Sequence, residues 1–182
     1  MKYIVDISSV KLETERLILR PFEVKDLEDF FEYASVEGVG ECAGWNHHEN
    51  IEVSKGILTD FIKGRKTFAL VYKENNKVIG SLGLEESKED IYKLNPFASF
   101  VELGYVLSKD YWGKGLMTEA SKRVIEFIFS DLGVDYITVC HFVENNRSRR
   151  VIEKLGFKYF NDLTNVNYLG EEFSEIAMLL KK

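Results

Sequence analysis

The sequence predicts a mixed α/β domain whose sheet combines antiparallel hairpins with at least one parallel crossover, and three observations predict it. Stretches of period two alternate with stretches of helical period in the order β-α-α-β-β-β-α-β-α-β-β. A polar Glu74-Asn75-Asn76 turn joins two β-rich runs as a hairpin does, whereas strands separated by a helical pattern require a crossover. The 182 residues, 45% hydrophobic and 30% charged with only 2 prolines, suit one domain over 1–182 that buries roughly 70% of its unfolded surface.

The elements follow in order. Arg16-Leu17-Ile18-Leu19-Arg20 alternates and is expected to end as a strand at Pro21. A helix opening at Val24 or Asp26 carries Leu27, Phe30, Phe31 and Ala34 on one face and is expected to end at Gly38 and Gly40. Glu41 to Asn50 has no period and reads as a loop. Ile51 to Lys63 repeats Val53, Ile57, Leu58, Phe61 and Ile62 as a second amphipathic helix. Thr67 to Tyr72 and Lys77 to Leu84 form the hairpin, and Ser87 to Phe97 is polar and loop-like. Strands at Phe100 to Leu107 and Tyr136 to Phe142 flank a helix at Leu116 to Phe129. Asn146 to Leu155 is helical, Phe157 to Phe160 briefly extended, and Phe173 to Leu180 a closing strand.

Composition narrows the partners. The net charge of −6, from 24 basic and 30 acidic residues, disfavours nonspecific nucleic-acid binding and suits a cationic partner. Residues 109–154 hold eight basic side chains against seven acidic ones, so the acid surplus lies elsewhere. Neither a bilayer-length apolar run nor a signal-like start is present, which predicts a soluble, cytoplasmic protein without membrane partner. Cys42 and Cys140 lie far apart without a CxxC pair, so neither a disulfide framework nor a sulfur metal site is expected. No feature of the sequence specifies an oligomeric state.

The chemistry concentrates in Tyr111-Trp112-Gly113-Lys114-Gly115-Leu116-Met117-Thr118-Glu119-Ala120, where a strand runs through two glycines straight into a helix. Glycines let a ligand approach the backbone, and the first helical turn offers unpaired N–H groups and a positive dipole end, so the segment is built for a phosphate or pyrophosphate. A Walker loop is excluded because no GxxxxGK[ST] occurs, and a dinucleotide fingerprint because Thr118 stands where its third glycine belongs.

Five blocks, in one order along nearly the whole chain, resemble the GNAT superfamily of acyl-CoA-dependent N-acyltransferases, in particular its branch with the ribosomal-protein N-terminal acetyltransferases. They are Leu12-Glu13-Thr14-Glu15-Arg16-Leu17-Ile18-Leu19-Arg20, Glu102-Leu103-Gly104-Tyr105, Trp112-Gly113-Lys114-Gly115 with Thr118-Glu119-Ala120, Asn145-Asn146-Arg147-Ser148, and Glu153-Lys154-Leu155-Gly156-Phe157. The resemblance implies a single-domain GNAT-like fold with a splayed, mainly antiparallel sheet and flanking helices. It implies acetyl-CoA as co-substrate, its pyrophosphate held by the backbone of Gly113, Lys114, Gly115, Leu116, Met117 and Thr118. Val106 and Leu107 would pair with the pantetheine arm as a pseudo-strand where the strands of Glu102 and Tyr136 splay apart, and Asn145 would meet the pantetheine or acyl end. Two positions depart from the family pattern. Asp110 replaces an Arg or Gln three residues before the first glycine, and Ile152 replaces a tyrosine that serves many members as general acid.

The acceptor implied is a primary amine, with a protein N-terminal α-amine favoured by the branch and a polyamine or amino-sugar antibiotic as alternative. A protonated amine cannot attack a thioester, so a base must act. Glu102 is the candidate, with His141 as a second, while Ser148 is the nearest hydroxyl to replace the missing tyrosine and Asn145 completes the catalytic set. Asn145 and Ser148 also suit plain helix capping. Trp45 and His47, with Glu102, are expected to bind the acceptor; His47 and His48 lack the further ligands of a metal site, so none is expected. The absence of a tyrosine at Ile152 also keeps open a non-catalytic acyl-CoA sensor.

Overall fold

The computed structural model describes residues 5–87, 95, 97–166 and 172–182. The elements are β1 (Leu12–Glu13), β2 (Leu17–Pro21), α1 (Leu27–Ala34), α2 (Ile51–Gly64), β3 (Thr67–Tyr72), β4 (Val78–Glu85), β5 (Phe100–Leu107), α3 (Leu116–Ser130), β6 (Tyr136–Phe142), α4 (Asn146–Lys154), β7 (Lys158–Val166) and β8 (Glu172–Lys181). Short 3-10 turns stand at Val24–Asp26, Glu41–Ala43 and Lys109–Tyr111. The strands follow the order β1-β2-β3-β4-β5-β6-β8-β7, a mixed and mostly antiparallel sheet. Contacts group the residues into two compact units: one contains Ile4–Leu84 and Tyr105–Val124, the other Glu85–Gly104 and Ile125–Lys182. No helix among the described residues is long and apolar enough to cross a membrane.

In the first unit β2 pairs antiparallel with β3 from Leu17↔Tyr72 to Pro21↔Phe68, and β3 with β4 from Thr67↔Gly83, with a bulge at Leu70/Val71. The apolar face of α1 delivers Phe30, Tyr33 and Ala34 to a cluster with Phe22, Leu58, Ala69, Val71 and Val78. Phe30 is its hub, with ring centroids 5.7 Å from Phe22 and 5.6 Å from Phe61, the spacing of favourable tilted aromatic pairs. The Asn50 side chain caps α2 by accepting the Glu52 and Val53 N–H groups, so this helix begins where an Asx residue precedes the apolar period. Arg20 grips Asp26 with two 2.7 Å hydrogen bonds, fixing the 3-10 turn that feeds α1 onto β2.

In the second unit β5 pairs parallel with β6 over Phe100–Glu102, the crossover that α3 makes possible. β6 pairs antiparallel with β8 from Tyr136↔Lys181 to Phe142↔Glu175, and β7 pairs antiparallel with β8. Asp135 accepts the Ser99 N–H at 2.8 Å and gives its own N–H to the Ser99 hydroxyl at 3.0 Å, pinning the starts of β5 and β6 together.

Several boundaries differ from those expected. β2 includes Pro21, which pairs with Phe68 at the strand's last position, where a missing N–H interrupts no further ladder. α1 stops at Ala34, the Ser35 N–H closing on Phe31, before Gly38 and Gly40 are reached. β7 extends to Val166, because pairing with β8 overrides the weak strand propensity of Asn161 and Asp162. A two-residue strand, β1, precedes the alternating run. The loop expected at Ser87 to Phe97 lies largely outside the described residues.

Candidate functional site

β5 ends at Leu107, and the chain makes one 3-10 turn before the glycine pair. The first unit seats this stretch closely. The Ser108 N–H donates to Ile79 at 2.8 Å, and a Cβ on Gly80 would collide with the Val106 carbonyl oxygen and stand 3.1 Å from the Leu107 Cα, so only glycine admits this approach. The Trp112 indole N–H donates to the Leu107 carbonyl at 2.7 Å. The carbonyls of Val106 and Leu107, residues expected to pair with a pantetheine, thus each meet a neighbour within the unit.

Gly113 and Gly115 take left-handed backbones, φ 75° and 76°, which L side chains rarely adopt. They reverse the chain twice and open directly on α3, whose first i to i−4 bond runs from the Glu119 N–H to Gly115 at 3.0 Å. The N–H groups of Leu116, Met117 and Thr118 precede that ladder, at the positions where a helix start leaves donors without an intrahelical partner. Gly113, Lys114 and Gly115 are exposed, while Leu116 and Met117 bury their side chains and leave only backbone to a ligand. The Lys114 ammonium lies 4.9 Å from the Tyr111 ring, itself held by the Asn75 amide at 2.9 Å and the Tyr72 ring at 5.4 Å. Backbone donors, a helix dipole and a lysine converge, an arrangement that suits a pyrophosphate. Asp110 is exposed in the preceding turn.

Arg16 was not among the expected site residues, yet it braces this loop. Its guanidinium donates to Glu119 at 2.7 Å and to the Lys114 carbonyl at 2.9 Å, while its backbone N–H donates to Glu119 at 2.9 Å. Burial alone would raise the Glu119 carboxyl, but hydrogen bonds from Thr14 and from both parts of Arg16 outweigh it and hold the group below its ordinary value.

The expected acceptor residues part company. His47 is half exposed; its Nδ1 lies 2.7 Å from Glu41, whose carboxylate also accepts the His47 and Gly38 N–H groups. Burial opposes the charge on Glu41, but these hydrogen bonds prevail and lower it to about 2. Glu41 thus ties its loop together. His48 turns inward: its Nδ1 shares a 2.7 Å hydrogen bond with buried Ser54, and its ring lies 5.4 Å from Phe30 and 5.0 Å from the half-buried Trp45. No group of three or more His, Cys, Asp or Glu among the described residues could hold a metal ion.

Burial lowers the His48 pKa below its ordinary 6.5, because the charged ring is penalised. The unfolded chain therefore takes up a proton that the folded chain resists, so stability is full above about pH 6.5 and falls as pH drops below it. Thermal melts between about pH 7.5 and 5.5 should show this decline, and His48→Gln should flatten it; an equal slope in both proteins would contradict the assignment.

In the second unit Glu102 stands opposite Thr138 in the β5–β6 register, half-buried with Oε2 shielded from solvent. His141 is buried on β6, and its Nδ1 donates to the Phe142 carbonyl at 2.9 Å, so in the neutral ring Nε2 carries the lone pair. The same carbonyl accepts the Asn145 N–H at 2.9 Å, and the Asn145 side chain accepts the Ser148 N–H at 3.1 Å as N-cap of α4. Asn145 and Ser148 thus do the capping their pattern allows, at the head of one helix. Ile152 is fully buried and packs as core.

The acetyltransferase (GNAT) domain family matches residues 16–158. The N-acetyltransferase YoaA of Bacillus subtilis is 30% identical over 152 residues, covering 81% of this chain and 82% of its own. Among solved structures, a GNAT-family acetyltransferase from Bacillus anthracis superposes with a TM-score of 0.83 at 22% identity, over 94% of this chain and 98% of that one. The ribosomal-protein-S5-alanine acetyltransferase of Vibrio fischeri does so at 0.74 and 22%, over 95% and 97%.

Proposed function

Because this chain belongs to the GNAT acetyltransferase family, we propose that it carries the acetyl group of acetyl-CoA to a primary amine, a protein N-terminal α-amine being the favoured acceptor. The observation that carries the donor is the pair of left-handed glycines opening on α3. That backbone, from Gly113 to Thr118, would take the CoA pyrophosphate, with the Lys114 ammonium adding opposite charge. The acceptor preference rests on the likeness to a ribosomal-protein acetyltransferase and on the chain's acidic balance.

The reaction is direct attack in a ternary complex. The amine nitrogen bonds to the thioester carbonyl carbon, the C–S bond breaks, the ammonium loses a proton and the CoA thiolate gains one. Holding both reactants in attack geometry and polarising the carbonyl supplies most of the rate. With an amine pKa of about 8 for an α-amino group, a base is needed near neutrality. Glu102 serves as that base, His141 Nε2 being the other group on these strands able to accept a proton. Ser148, at the head of α4 beside Asn145, can supply a proton to the thiolate, and Trp45 and His47 are the side chains proposed for acceptor binding.

Thiol release from acetyl-CoA should appear with peptides bearing free α-amines and vanish when those termini are blocked. Turnover with polyamines or amino sugars but not with peptides would replace the acceptor; release with no amine tested would remove the transfer itself.

A further inference from the structure

Arg16, more than ninety positions earlier in the chain and at the edge of β2, reaches the glycine loop from outside it. Its guanidinium bridges two parts of the loop: the Lys114 carbonyl at 2.9 Å and the Glu119 carboxylate at 2.7 Å and 2.6 Å. Glu119 in turn accepts the Arg16 backbone N–H at 2.9 Å, so neither partner can swing away without breaking the other's bonds. Its Nη2 also lies 3.7 Å from where a Cβ on Gly115 would stand.

This clamp has a directional consequence. In a trans peptide the C=O and the following N–H point opposite ways. A Lys114 carbonyl held on the Arg16 side therefore points the Gly115 N–H away from Arg16. A glycine at 115 leaves the Lys114–Gly115 peptide free to flip, since glycine populates both signs of φ readily. Something must choose the orientation, and a charge-assisted bond to the Lys114 carbonyl does so.

We propose that Arg16 is a positioning residue for the pyrophosphate loop: with Glu119 as its anchor, it fixes the Lys114–Gly115 peptide so that the Gly115 N–H joins the helix-start donors facing the ligand. The inference rests on the reading of Gly113 to Thr118 as the CoA pyrophosphate site. Arg16 acts here through the peptide, not by touching the phosphates, and that distinction is testable. A direct phosphate ligand would be partly neutralised by Glu119, and releasing it would strengthen binding. An orienting clamp loses its anchor when Glu119 is neutralised, and binding weakens.

The test compares kcat/KM for acetyl-CoA with that for S-acetylpantetheine, which has the same thioester but no pyrophosphate, in the parental protein and in Arg16→Gln, Arg16→Lys and Glu119→Gln, with thermal melts and calorimetric CoA titrations of each. The ratio of the two donors should fall by at least about tenfold in Arg16→Gln, since displacing a binding group by about an ångström costs that much or more. Glu119→Gln should lower it in the same direction, and Arg16→Lys should restore part of it, because an ammonium can reach one partner but not fork between two. Tighter CoA binding by Glu119→Gln would overturn the proposal in favour of direct phosphate contact. An equal fall with both donors would make Arg16 a fold residue only. A parental protein that handles both donors alike would instead remove the pyrophosphate reading beneath the proposal.

Discussion

Gly115→Val is expected to weaken CoA binding by at least about a hundredfold while leaving the fold in place. The backbone at Gly115 sits at φ 76°, where a β-branched residue is strained whatever space surrounds it. Among the described residues a Cβ there would meet only the Arg16 guanidinium, at an ordinary 3.7 Å, so the damage comes from the backbone and not from a clash. Holding valine in that region costs roughly 1–3 kcal/mol. Domains commonly have about 5–15 kcal/mol of stability, so the fold survives. The loop relieves the strain by leaving the left-handed region, which turns the Gly115 N–H and the α3 start out of register with the ligand. Gly113→Ala, at φ 75° with nothing among the described residues within 4 Å of its Cβ, is the matched control for strain without contact and should also weaken binding. Calorimetric titration with CoA measures both; parental affinity in Gly115→Val would place the phosphate site elsewhere.

Glu102→Gln is expected to cut turnover by about 10²- to 10⁴-fold, the span of a lost general base, with little change in CoA affinity. Glutamine keeps the shape of a half-buried side chain on β5 but cannot take a proton. The pH profile carries the diagnosis. A peptide α-amine with pKa about 8 is increasingly neutral as pH rises, so the variant should recover towards the parental rate at alkaline pH while the parental protein changes less. A variant with parental turnover at neutral pH would assign deprotonation to His141 or to water.

Local patterns were legible wherever one periodicity dominated. α2 carries an apolar stripe behind an Asn50 cap, and β6 is bounded at Tyr136 and Phe142 as expected. The turn at Gly113 and Gly115 into a helix was legible because two glycines between a strand and an amphipathic helix leave few other conformations. What the sequence hid is tertiary. Arg16 sits 98 residues from Lys114 and 103 from Glu119, and no spacing rule connects a β2 edge to a helix start that far away. His47 and His48 are neighbours of one type, yet one meets Glu41 near solvent and the other Ser54 in the core, because successive residues of an irregular loop face different surroundings. β7 was cut short for the opposite reason: its polar residues lack any strand signal, and only the ladder to β8 extends it to Val166.

The central claim is that Gly113 to Thr118 binds the pyrophosphate of acetyl-CoA, and thermal melting of the parental and Gly115→Val proteins with and without acetyl-CoA tests it most directly. A ligand that binds only the folded state at about 100 times its dissociation constant adds roughly 2.7 kcal/mol. For a chain of this length that raises the parental melting temperature by about 5 to 11 °C, and the variant's hardly at all. No rise in the parental protein at millimolar acetyl-CoA, or an equal rise in both, would contradict it.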